Sequence, residues 1–150
     1  MPNDQAHWQL RIKTVEREHG AMRLAIDRLW GVARSGPANL RSGVTLTDIR
    51  NASGRLDGTY LIRLFAEFET GLRSFWSTRR KTLPPSRTRD LLDGVAAMRA
   101  ITLEILTNAQ DVREYRNALV HERGEATVLL SIPEARRHLC RCFSYLPPAW

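Results

Sequence analysis

Apolar side chains near the start of the chain fall at Trp8, Ile12, Val15, Met22, Ile26, Leu29 and Ala33, with His19 on the same line. Steps of four and three keep these positions on one face of a helix and turn that face toward a partner. They predict a long amphipathic first helix over about 4–34. His19 reads as a core or interfacial histidine, because no cysteine or carboxylate accompanies it at metal-ligand spacing. Ser35-Gly36-Pro37-Ala38-Asn39 breaks the pattern, and a loop follows to about residue 45.

Thr47 or Asp48 can cap a short turn of helix through Ile49, with Ser53-Gly54 as an interruption before the main second helix. Leu61, Leu64, Phe65, Phe68, Leu72, Phe75 and Trp76 then form a strong helical stripe carrying most of the aromatic core, so this helix is expected to be central. Arg79-Arg80-Lys81 puts cations at its C-terminal end, where the helix dipole favours them, and Pro84-Pro85 forbids continuation. The same basic run is a possible phosphate-contacting patch. A third helix is expected from Ser86 or Thr88 to about Leu106 on Leu91, Leu92, Val95, Met98, Ile101 and Ile105.

Thr107-Asn108 offers an N-cap for a fourth helix, with Gly124 placed to stop it. The apolar stretch 126–132 suits an extended arm or one edge strand. Ser131-Ile132-Pro133-Glu134 is a capping box with proline just inside, opening a fifth helix that turns Ala135, Leu139, Cys142, Phe143 and Leu146 inward. These elements predict an all-α fold: a four- to five-helix antiparallel up-and-down bundle, in one domain over residues 1–150, with no internal repeat.

Composition changes this picture little. The chain of 150 residues is 43% hydrophobic, with no apolar run near the length needed to cross a bilayer, so no membrane partner is expected. Its start, Met1-Pro2-Asn3-Asp4, lacks a basic stretch followed by an apolar core, which favours the cytoplasm. Cys140 and Cys142 are one residue apart, a spacing that suits neither a zinc site nor an easy intrachain disulfide, and they read as reduced thiols. The net charge of +7 favours a polyanionic partner such as RNA, though a solvated basic surface accounts for it equally. All but Lys13 and Lys81 of the 23 basic residues are arginine, a bias that genomic base composition can produce.

The chemistry concentrates in Glu114-Tyr115-Arg116-Asn117-Ala118-Leu119-Val120-His121. Val112, Arg116, Leu119 and Val120 share a helical face, so a guanidinium rides on an apolar stripe, where a cation is costly unless paired or used. An arginine followed by asparagine, a short spacer and histidine resembles the signature of the HEPN superfamily. The resemblance spans motif and helical order over about residues 45–146. Phe68-Glu69 followed by Leu72-Arg73 is also similar to the second helix of several HEPN families.

What the resemblance implies is a helical bundle that dimerises with the motifs meeting across the interface and cleaves RNA without a metal or other cofactor, as a toxin or phage-defence nuclease held by an antitoxin or companion protein. Arg116 and His121 would be catalytic. Asn117 would bind phosphate or orient His121, Glu69 would orient one of the two cations, and Tyr115 would stack on a base or pack in the core. Arg73, Arg113 and Arg123 would contact RNA. Residue chemistry agrees: histidine can move protons near neutral pH, and arginine offers phosphate a permanent bidentate fork.

On a regular helix the five-residue step from Arg116 to His121 turns through about 140°, so the two share a face only if the helix ends near His121. A second subunit bringing its own pair removes that difficulty. Three alternatives remain: Arg116 paired with Glu69 or Glu114 and His121 merely ending the helix; an idle HEPN-like module for dimerisation or for nucleotide or RNA binding; and a plain helical adaptor.

Overall fold

The computed structural model describes residues 4–36, 38, 40, 43–121 and 129–150. Among these residues five α-helices make up the regular structure: α1 (Gln5–Ser35), α2 (Leu46–Arg80), α3 (Thr88–Arg99), α4 (Leu103–Val120) and α5 (Ile132–Phe143). They form an all-α bundle. The expected extension over 126–132 is outside the described residues at 126–128, and Leu129 to Ser131 carry no regular structure before α5 begins.

Helix α2 is the axis. Thr45 caps it through a reciprocal box with Asp48, so it starts at Leu46 and runs unbroken through Ser53-Gly54 to Arg80. The expected interruption does not occur, because packing against α1 along this length outweighs the local cost of two glycines. Gly58 lies where α4 comes close: a Cβ there would stand 3.3 Å from Cδ2 of Leu119. At Gly71 a Cβ would fall 2.5 Å from Phe143 and 3.0 Å from Trp8, so only glycine lets α2 cross α5 and α1 at that depth. Around this crossing Phe65, Phe68, Leu72, Phe75, Leu92 and Phe143 are fully buried, with Phe68 and Phe143 edge to face at 5.0 Å.

Helix α1 lies antiparallel to α2, tied by Arg11–Glu67, Glu18–Arg63 and a clasp in which His19 and Arg23 both reach Asp57. Its stripe is only partly used. Trp8, Ile12, Val15 and Ala33 are buried, His19 packs its ring against Tyr60, and Met22 and Leu29 are 43% exposed.

The third helix is shorter than its apolar period suggested. Ala100 adopts the left-handed conformation at φ 51°, Ile101 N–H closes onto the Ala96 carbonyl, and α4 begins at Leu103 rather than after Thr107-Asn108. Ile101 and Ile105 fit one period with α3 yet belong to the turn and to α4. One connection also departs from up-and-down order. After Lys81, itself left-handed, the chain runs back along α2, so that Thr88 meets Glu69, Gly94 meets Trp76 and Arg80 meets Met98. Helix α3 therefore lies parallel to α2, and α4 returns antiparallel to both.

The C-terminal residues close the bundle rather than trailing from it. Gln5 donates to the Phe143 and Leu146 carbonyls, its backbone N–H donates to Pro148, and the Trp150 ring stands edge-on to Phe75 at 5.5 Å. No helix among the described residues is long and apolar enough to cross a membrane. Cys140 and Cys142 are thiols, and burial pushes Cys142 up to about 12.

Candidate functional site

Helix α4 carries the motif out of the core. Ile105, Ala109 and Val112 are buried, and the same face continues to Arg116 and Leu119, both half-buried. The Arg116 guanidinium stands 6.0 Å from the centre of the Phe65 ring, and its Nη1 donates to Asn117 Oδ1 at 2.9 Å. Its Nε is buried without an acceptor among the described residues. No carboxylate there pairs with it: Glu114 holds Arg113, and Glu69 is taken elsewhere.

Val120 is the last residue of α4, and His121 caps it with φ −98° and ψ 7°, its N–H donating 3.0 Å to the Asn117 carbonyl. The helix thus ends at the histidine, three residues before Gly124, which was expected to stop it and lies outside the described residues. The His121 side chain is exposed. It lines a cleft of about 490 Å³ together with Arg113, Glu114 and Asn117 of α4 and Ser86, Arg87, Thr88 and Arg89 at the start of α3. Arg87 caps α3 without a side-chain hydrogen bond, so the first amides of that helix keep no such acceptor. Three arginines face one glutamate across this cleft, and that glutamate is already paired with Arg113.

Of the residues singled out in the sequence, Arg113, Asn117 and His121 meet in this cleft. Arg116 does not line it: within one chain it faces Phe65 while His121 opens on the α3 side. Glu69 orients neither Arg116 nor His121. Its Oε1 accepts from Arg73 Nε at 3.0 Å, Arg73 Nη2 at 2.7 Å and Thr88 Oγ1 at 3.0 Å. Arg73 is equally committed, donating to the Pro85 carbonyl at 2.8 Å and the Ser86 carbonyl at 3.2 Å, so it staples the returning segment to α2. Tyr115 packs against the core, and Arg123 lies outside the described residues. The run at 79–81 is also engaged: Arg79 donates to Ala149, Arg80 reaches Met98 and Trp76, and Lys81 is the cap.

Arg87 and Arg89 escaped the sequence reading. The signal was Ser86-Arg87-Thr88-Arg89, hydroxyls and cations alternating just before a helix, which gains meaning only once the return of the chain lays it beside His121. Among the described residues no three His, Cys, Asp or Glu side chains gather as metal ligands would. A scan against protein-family models finds no match for this chain, and searches of curated proteins and of solved structures find none.

Proposed function

We propose that this chain is a metal-independent endoribonuclease of the toxin or defence type on an HEPN-like bundle, acting as a homodimer in which Arg116 and His121 work on one scissile phosphate. The observation that carries this reading is the position of Asn117. It accepts from the Arg116 guanidinium on one side, bonds the His121 backbone, and lines the cleft that His121 lines. Among the described residues the Arg116 guanidinium has one neutral acceptor, at Nη1, which leaves donors on its terminal nitrogens for a phosphate.

The reaction divides among these groups. Neutral His121 takes the proton of a 2′-hydroxyl, and the 2′-oxygen attacks phosphorus. Arg116 of the partner subunit stabilises the charge on the non-bridging oxygens, and the 5′-oxygen departs with the proton that His121 took from the 2′-hydroxyl. The products are a 2′,3′-cyclic phosphate and a 5′-hydroxyl. A second copy is part of the reading because Arg116 of the same chain does not line the cleft that His121 lines, and Val120, apolar and 44% exposed beside His121, gives that copy something to cover. A companion antitoxin would restrain the enzyme in the cell.

Purified protein incubated with single-stranded RNA in excess EDTA is expected to yield cyclic-phosphate ends. Arg116→Ala and His121→Ala should each abolish cleavage and the toxicity of expression. Equal cleavage by both folded variants contradicts the assignment. One observation favours the alternative of an idle RNA-binding module: Arg116 is missing from the cleft that holds His121. That reading requires RNA to bind and leave uncut.

A further inference from the structure

The cleft at His121 does not end with α3's first turn. A second hollow of about 300 Å³ continues it between α3 and α4, and the two share Arg89, Arg113 and Glu114. At the His121 end the walls carry Arg87 and Arg89, guanidiniums whose planar forks match phosphate oxygens, beside Arg113, which is tied to Glu114 and Gln110. Further along, Leu106 and Leu103 provide an apolar wall, with Leu103 78% exposed in the first turn of α4. Gln110 and Asp93, bonded to each other at 2.9 Å, form a polar edge beside them.

We propose that this groove is the track for a single strand of RNA leading away from His121, with a phosphate over Arg87 and Arg89 and the neighbouring nucleobase in the hollow against Leu103 and Leu106. The inference rests on the RNA-directed reading of the same cleft and adds the residues that hold the strand. Both hollows lie in or at the edge of the range, about 300–1,000 Å³, of pockets that take small organic ligands such as a nucleotide. Charge followed by an apolar slot repeats the order of phosphate and base along an unpaired strand. A duplex keeps its bases stacked inside and can offer the hollow none.

The test is fluorescence anisotropy with a short 2′-O-methylated single-stranded RNA, which lacks the attacking hydroxyl, titrated against the full chain at several salt concentrations. Arg87→Ala/Arg89→Ala should weaken binding roughly tenfold or more and flatten the slope of log affinity against log salt by about 1.4, at about 0.7 per phosphate contact. Arg137→Ala/Arg141→Ala, which removes the same charge from α5, should leave the slope unchanged. Unchanged affinity and slope in the first variant, an equal loss in the second, or equally tight binding of a duplex of the same sequence would overturn the assignment. The probe cannot be cut, so the two readings fail separately. A chain that binds it through Arg87 and Arg89 yet cleaves no RNA refutes the nuclease alone, whereas undiminished RNA cleavage by Arg87→Ala/Arg89→Ala refutes the groove alone.

Discussion

A guanidinium half-buried against a phenylalanine ring, with one neutral acceptor and one orphaned nitrogen among the described residues, costs solvation that its contacts return only in part. Arg116→Ala should therefore leave stability within about 1 kcal/mol of the parent, measured by urea unfolding, while removing cleavage. Arg116→Lys keeps the charge but not the fork, and should lower the cleavage rate roughly 100-fold or more. Glu69 gives the opposite result. Its carboxylate bonds Arg73 and Thr88, so Glu69→Gln should cost about 1–2 kcal/mol of stability, allowing for partial exposure, with the rate per folded molecule unchanged. A rate loss at full stability would restore Glu69 to the site. At this scale the sequence made the motif legible, because arginine on an apolar stripe is visible from spacing alone. It could not assign Glu69, since an i,i+4 arginine and a threonine nineteen residues on compete for the same oxygen.

Element boundaries followed capping chemistry where the caps are strong and tertiary packing where they are not. The box at Ser131 and Glu134 was readable directly, and the start of α5 follows it. Gly54 suggested a break that burial along α1 overrides, and a shared apolar period hid the left-handed turn at Ala100 between α3 and α4. Gly71→Ala should destabilise the bundle by about 1–3 kcal/mol in chemical denaturation, because the new methyl meets the buried Phe143 ring. The clasp between α1 and α2 gives a pH signature. Burial alone would raise the Asp57 carboxyl, but hydrogen bonds from Arg23 and His19 with their charges outweigh it and hold the group below its ordinary 3.8. A depressed folded value means the clasp stabilises fully above pH 3.8 and is lost as pH falls through that lower value. Asp57→Asn should therefore flatten the acid limb of the stability curve, and an unchanged limb would show that the clasp contributes nothing.

For the whole molecule, the direction of α3 matters most. The extended return from Lys81 to Arg87, stapled by Arg73, lays the start of α3 beside the end of α4 and so builds the cleft. Nothing in the apolar period of α3 encodes its direction; the information sits in Pro84-Pro85 and in the hydrogen bonds from Arg73 to the Pro85 and Ser86 carbonyls, which form only when the chain folds back. The cleft that His121 lines does not include Arg116 of the same chain, so the account depends on a second chain supplying the arginine. The direct measurement mixes Arg116→Ala protein with His121→Ala protein, each inactive alone, and follows RNA cleavage in EDTA. If one copy gives the arginine and the other the histidine, subunit exchange makes half the dimers mixed, each with one intact site, and activity should return to about a quarter of the parent's. If the mixture stays inactive at every ratio while the two variants demonstrably exchange subunits, the shared site does not exist.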